Sequence, residues 1–281
     1  MLQLLCNQVM QLSENDFPAI GLGTWQNTDP EECANSVRTA LEIGYRHVDT
    51  AHYYGNEESV GRGIHAADVD RDDVVVASKV HAEKFGLDYD GVIEGAKKSC
   101  ERMDLEYLDV LYVHWPVLEY DTEETLSAFE QLKDDGVIDH IGLSNYSINL
   151  LDEALSVLEE PPLTLQMEMH PFCHQDEVLG YAQKHDIRLI AYSPLARGHV
   201  FESDVIHEIA EKHGVSEAQV SIAWLLSKDN VSVIPKARGE AHIRDNMRAV
   251  DLTLDEADIE RIDDIDRRER YVERDDSPWL A

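Results

Sequence analysis

Basic side chains are scarce in this 281-residue sequence: 24 Lys and Arg stand against 57 Asp and Glu, a formal net charge of −33. Lysine is the scarcer base, nine against fifteen arginines. Acid dispersed along the whole chain repels nucleic-acid phosphates and anionic lipid, so neither is an expected partner. Cysteine is sparse too. The four, at positions 6, 33, 100 and 173, form no CxxC pair, which argues against a disulfide framework or a thiolate zinc site. No run of eighteen apolar residues occurs, so no bilayer span is expected. The stretch 1–16 lacks a basic flank and carries Asn7, Gln8, Gln11, Glu14 and Asp16, unlike a secretory signal, so a cytoplasmic location is expected. The acid excess is larger than solubility requires, which points to a halophilic cytoplasm where molar salt screens self-repulsion.

What is present is a repeating pattern. Hydrophobic residues make up 43% of the chain, enough for one sizeable core, and the length suits a single domain over 1–281. Short apolar runs, at 19–25, 45–50, 73–79, 108–114, 140–145, 163–169, 188–194 and 231–236, alternate with amphipathic helical segments. The helices carry start and stop signals. Asp29-Pro30-Glu31-Glu32 offers a cap, a first-turn proline and early acids, Ser216–Gln219 and Thr253–Glu256 read as capping boxes, and Gly44 and Gly136 sit at C-terminal ends.

Eight strand-then-helix units, with strands apolar throughout, predict a closed parallel (β/α)8 barrel. A Rossmann sheet is the rival, but Gln26 stands where Gly21-Leu22-Gly23 would need its third glycine. Gly61-Arg62-Gly63 follows a helical pattern and reads as local packing. An N-terminal β-hairpin is expected before the first strand. The segment 267–281 is expected to form a short C-terminal loop over one end of the barrel, with Trp279 within reach of the pocket.

Active sites of such barrels gather at the C-terminal strand ends. Polar groups fall there on seven consecutive strands: Asp49, Lys79, His114, Ser144 with Asn145, Gln166, Ser193 and Lys236. A metal reading of Glu168, His170, Cys173 and His174 is disfavoured, because Pro171 breaks the helix that would align the two histidines.

At Gly44–Glu57, which contains Asp49 and Tyr54, the chain resembles the aldo-keto reductase family, and the resemblance covers nearly its whole length. It continues through Val76–Lys79, Leu108–Pro116, Gly142–Tyr146, Gln166–Pro171, Ala191–Leu195 and Ile234–Lys236, in family order. Its nearest likeness is to prokaryotic reductases of the 2,5-diketo-gluconate type. The resemblance implies reduction of aldehydes or ketones with NADPH, NADH also being accepted. Tyr54 would be the proton donor, supported by Asp49, Lys79 and His114. An ammonium beside a phenol lowers its pKa, so Lys79 is expected to acidify Tyr54 while Asp49 holds Lys79 and His114 orients the carbonyl oxygen. The implied cofactor contacts are Thr24 and Asp49, with Ser144, Asn145 and Gln166 at the nicotinamide carboxamide, Tyr192 stacked on its ring, and Ser193 and Leu195 at the pyrophosphate. At the adenosine end they are Lys236, Arg238, His242, Asp245 and Asn246. Here the chain departs from the family: Ala237 replaces a serine and His242 an arginine that help hold the 2′-phosphate, and Arg238 is the candidate to compensate. The substrate pocket would take in Trp25, Tyr54, His114 and Trp115, with His81 where the family often has tryptophan. The expected partner is a small carbonyl compound and the expected state a monomer. The alternative is an NADPH-binding regulatory or sensor barrel with little turnover.

Overall fold

The computed structural model describes residues 17–280, so the expected N-terminal hairpin lies outside the described residues. Strand β1 (Leu22–Gly23) leads to α1 (Pro30–Ile43), β2 (His47–Asp49) to α2 (Glu57–Ala66), and β3 (Val75–Val80) to a one-turn α3 (Ala82–Phe85) and then α4 (Tyr89–Met103). The pattern continues with β4 (Leu108–Val113), α5 (Thr122–Asp134), β5 (Ile138–Ser144), α6 (Ile148–Val157), β6 (Thr164–Glu168) and α7 (Asp176–Lys184). Then β7 (Arg188–Tyr192) precedes α8 (Asp204–His213) and α9 (Glu217–Leu226), and β8 (Val231–Val233) precedes α10 (Glu240–Met247) and α11 (Glu256–Asp263).

The strands pair in parallel and in chain order. Parallel bridges from Ile20 to Val233 and from Gly23 to Lys236 bring the first strand against the last and close the barrel. The first strand needs glycine twice, at Gly21 to clear the His47 ring of β2 and at Gly23 to close against the last strand. A Cβ on Gly21 would lie 2.3 Å from His47 Nδ1, and one on Gly23 would lie 2.7 Å from the Ile234 carbonyl. The pair Gly61 and Gly63 lets α2 approach the Met103 and Ala34 carbonyls closely, the packing role read for it.

Local signals place most helix ends. Asp29 accepts the N–H groups of Glu31 and Glu32 ahead of Pro30, Ser216 accepts that of Gln219, and Gly44 and Gly136 take positive φ after their helices. One start is corrected. Thr253 does not cap α11; Asp255 does, accepting the Asp258 N–H, because its carboxylate stands three residues before that donor.

Side chains alternate along a strand, and that period of two decides what enters the barrel. Val75 and Ala77 share a face with Lys79, Val110 and Tyr112 with His114, Thr164 with Gln166, and Ile190 with Tyr192. The apolar members of these series pack with Phe17 and Ile234 into a small inner cluster, separate from the larger core between barrel and helices. Each inward series therefore ends in a polar group above a dry floor.

Candidate active site

The loop after β2 folds into a single tight turn, His52–Tyr54, closed by Gly55 in the left-handed region at φ 68°. Asn56, which precedes α2, spends its side chain on neighbours instead of capping that helix. Its amide donates to the carbonyls of Thr24 (2.9 Å) and Asn27 (3.2 Å) and accepts from the Thr50 hydroxyl (3.0 Å). Thr24 in turn donates through backbone and hydroxyl to the Asp49 carbonyl, both at 3.0 Å. These bonds fix the turn that carries Tyr54.

Lys79 is fully buried, and its ammonium donates to Asp49 Oδ1 at 2.5 Å and to the Thr50 carbonyl at 2.7 Å. The other oxygen of Asp49 accepts from Gln166 Nε2 at 2.8 Å. An unpaired buried ion costs several kcal/mol, so this pairing is what makes the arrangement tolerable. Burial lowers the Lys79 pKa, and the attraction of Asp49 works against that fall. The ammonium lies 5.2 Å from the centre of the Tyr54 ring, and the His114 ring meets Tyr54 edge-on at 5.7 Å.

The Tyr54 phenol departs from the sequence expectation. Its pKa is raised well above the ordinary tyrosine value, first by burial and then by the charge of Asp49. In the resting site burial and the charge of Asp49 outweigh Lys79, whose ammonium is held by Asp49. Tyr54 is therefore held protonated, the form a proton donor needs. Burial, together with the charge of Lys79, pushes the His114 pKa well below 6.5 and keeps its imidazole neutral.

Asp49, Tyr54, His114 and Gln166 line a cavity of about 230 Å³ at the strand ends, with Thr24, Trp25, Trp115, Ser144, Asn145, Tyr192, Ser193 and Lys236 also on its wall. Asn145 donates to the His114 carbonyl (2.9 Å) and to Ser144 Oγ (3.0 Å), and accepts the Tyr192 hydroxyl (2.7 Å). That leaves the Ser144 hydroxyl able to donate and the Gln166 amide oxygen able to accept. The pair complements the C=O and NH2 of a carboxamide, so the donor set fits a nicotinamide. Asn145 (φ 64°) and Ser193 (φ 50°) are both left-handed without being glycine, a strain concentrated at the cavity mouth.

Five predicted cofactor residues are not on that wall: Leu195, Arg238, His242, Asp245 and Asn246. Arg238 reaches the Gln26 carbonyl and stands 3.5 Å from Glu32, and the Asp245 carboxylate accepts from Ser216 and Gln219, each at 2.6 Å. His242 is exposed on α10 and Asn246 is buried there.

Sequence reasoning missed Tyr53, Arg197, Val272 and Arg274, which also line the cavity. Arg197 lies over the Trp25 ring at 4.7 Å and has no ion pair among the described residues. A signal for it existed: 192–201 holds no acid in a chain with 57 of them. Arg274 spans from the tail to Glu83 (3.0 Å) and Asp276 (2.8 Å). The tail crosses the mouth, with Trp279 against Trp115 at 5.5 Å between ring centres. It is buckled by Glu168, whose carboxylate accepts the N–H groups of Tyr271 (2.8 Å) and Val272 (2.9 Å) and faces His170 Nε2 at 3.1 Å. Both ring nitrogens of His170 are thus engaged, since Nδ1 accepts from the Phe172 N–H at 3.2 Å. Among the described residues no group of three or more His, Cys, Asp or Glu is placed to hold a metal ion. A shallower groove of about 860 Å³ lies on α2 and α4, away from the strand ends; its cations Arg62, Lys98 and Arg102 are already paired with Glu31, Glu101 and Glu57.

A buried Lys–Asp pair, a protonated tyrosine, a neutral histidine and a carboxamide-shaped donor set at the mouth of a (β/α)8 barrel define a nicotinamide-dependent oxidoreductase. The chain belongs to the aldo/keto reductase family, whose model matches residues 19–267. It is 38% identical over 255 residues to glyoxal reductase of Bacillus subtilis (strain 168), covering 91% of each chain. It is 35% identical over 259 residues to methylglyoxal reductase DkgB of Escherichia coli O157:H7, covering 91% of this chain and 96% of that one. Among solved structures, aldose reductase of Giardia lamblia superposes with a TM-score of 0.86 at 31% identity, over 93% of this chain and 95% of the other. The protein reduces carbonyl compounds to alcohols with NAD(P)H.

Proposed function

We propose that Tyr54 gives the proton in this reduction, that Lys79, Asp49 and His114 prepare it, and that NADPH is preferred with NADH tolerated. The observation that carries the first part is the convergence of these four groups above the dry floor of one barrel. When bound, the nicotinamide supplies a hydride to the carbonyl carbon. Negative charge then gathers on the carbonyl oxygen. Tyr54, kept protonated by burial, donates its O–H to that oxygen, and the neutral His114 offers a second hydrogen bond that fixes its direction. The Lys79 ammonium stabilises the phenolate left behind, and Asp49 holds Lys79 in position. Ser144 and Gln166 would hold the carboxamide, Tyr192 would stack on the ring, Thr24 would complete the wall, and Ser193 and Leu195 would meet the pyrophosphate. Every group invoked lies on one chain, so a monomer suffices.

For the rest of the cofactor, Arg197 is the unpaired guanidinium in the loop that follows Ser193, and it suits the pyrophosphate. Lys236, with Arg238 beside it, would favour a 2′-phosphate, with His242, Asp245 and Asn246 around the adenosine. Ala237 and His242 remove two polar contacts, and Arg238 already faces Glu32, which is the reason NADH is tolerated. Strict dependence on NADH would overturn the part given to Lys236 and Arg238.

Tyr54→Phe tests the mechanism. Loss of a positioned general acid costs roughly 10²- to 10⁴-fold in rate, so kcat for aldehyde reduction should fall at least that far. Cofactor affinity, read by quenching of tryptophan fluorescence, should stay nearly at the parent value. Unchanged turnover would refute the assignment.

A further inference from the structure

His81 follows β3 directly, two residues beyond Lys79, and its ring is almost wholly buried at the cavity wall. Its orientation is fixed on three sides. The ring stacks on Tyr53 (4.3 Å between centres, 27°), meets His114 edge-on (5.1 Å, 86°), and accepts the Glu83 N–H at Nδ1 (3.2 Å), capping α3. Burial holds its pKa down at about 4, so the ring is neutral at physiological pH. A neutral imidazole has one N–H. With Nδ1 accepting, that proton sits on Nε2, which has no hydrogen-bond partner among the described residues. Nε2 is open to the cavity rather than sealed in protein, so its acceptor must come from whatever fills that space, and the ring borders the place where a substrate would lie.

We infer that His81 is a specificity-determining hydrogen-bond donor that selects carbonyl substrates carrying a second oxygen on the neighbouring carbon, 2-oxo and 2-hydroxy aldehydes, over alkyl aldehydes of the same shape. The inference rests on the proposed roles of Tyr54 and His114. They meet the reacting oxygen, and His81, one ring away from His114, meets the oxygen on the next carbon. An alkyl group at that place leaves Nε2–H unsatisfied, and sites built around a polar donor discriminate strongly against such analogues.

Matched substrates test this: 2-hydroxyethanal against propanal, and 2-oxopropanal against 2-methylpropanal, each pair exchanging one oxygen for a methyl group. The readout is the ratio of kcat/KM within each pair, compared between the parent and variants so that aldehyde hydration cancels. His81→Phe removes cap and donor. His81→Asn keeps a capping side chain that is too short to reach the substrate, and His81→Gln has the reach and an amide donor. The ratio should fall about tenfold in the Phe and Asn variants and partly recover in the Gln variant. A ratio that stays at the parent value in Phe and Asn, whatever happens to the separate rates, overturns the inference and leaves His81 as a helix cap. If the parent reduces neither member of a pair, the assignment of the site itself fails, a distinct result. Tryptophan quenching by cofactor verifies that each variant is folded.

Discussion

At the scale of single residues, the cations in and around the cavity can be sorted by what already neutralises them. Lys79 is bound to Asp49 and Arg274 to Glu83 and Asp276, whereas Arg197 and Lys236 have no ion pair among the described residues. If Arg197 meets the pyrophosphate, which NADPH and NADH share, Arg197→Ala should weaken both by the same factor, about tenfold for one charge-assisted bond of ~1.5 kcal/mol. Lys236→Ala should weaken NADPH selectively. Fluorescence titration of both cofactors against both variants measures this, and an Arg197→Ala variant that loses only NADPH would contradict the division. Asp49, Lys79 and His114 were readable because each ends an apolar strand run, and Tyr54 because its loop motif resembles that of a known family. The state of the Tyr54 proton was not. A sequence suggests that an ammonium lies near a phenol, but it does not reveal that burial dominates, with the charge of Asp49 second.

At the scale of elements, the segment least legible beforehand was the C-terminal tail. It has no regular secondary structure after α11, so no periodicity betrays its course. Its position depends on Glu168, a residue of β6 a hundred positions away in the chain. Burial alone would raise the pKa of this carboxyl, but the bonds from His170 and from the N–H groups of Tyr271 and Val272 outweigh that and hold it below the usual range. A depressed carboxylate contributes stability that is complete above its unfolded pKa and is lost as pH falls through the folded one. The tail should therefore stay docked at neutral pH and come loose only in acid, once the pH has fallen below the ordinary glutamate range. Removing the acceptor should do the same at neutral pH. With ~2 kcal/mol withdrawn from local closure, Glu168→Ala should exchange the Tyr271 and Val272 amides about 30-fold faster. Because Val272 and Arg274 line the pocket and Trp279 packs on Trp115 of its wall, KM should rise more than kcat falls. Hydrogen exchange followed by mass spectrometry gives the first result and steady-state kinetics the second; unchanged exchange would show that the buckle does not hold the tail.

At the scale of the whole molecule, the barrel was the easiest feature to anticipate and the charge is the hardest to explain through contacts. Eight apolar runs separated by capped helices leave few alternatives, and Gly23 stands where the first strand meets the Ile234 carbonyl too closely for a side chain. The charge is different because no pairing scheme can absorb it. Even if each of the 24 bases took one of the 57 acids, 33 acids would be left without a partner. Like charges on one surface repel over the Debye length, which shrinks from about 10 Å at 0.1 M salt to about 3 Å at 1 M. Repulsion is strongest in the compact state, so screening should favour folding. The melting temperature should then climb as potassium chloride rises from 0.1 to 2 M, by on the order of 10 °C for a few kcal/mol in a chain of this size. Aldehyde reduction should follow the same curve, since a loosened barrel misplaces Tyr54. Screening depends on ionic strength, whereas excluded cosolvents such as sucrose stabilise by another route, so sucrose should not reproduce the steep rise at the low-salt end. A melting temperature that stays flat across the salt series would remove the halophilic reading and leave the acid as a solubility device.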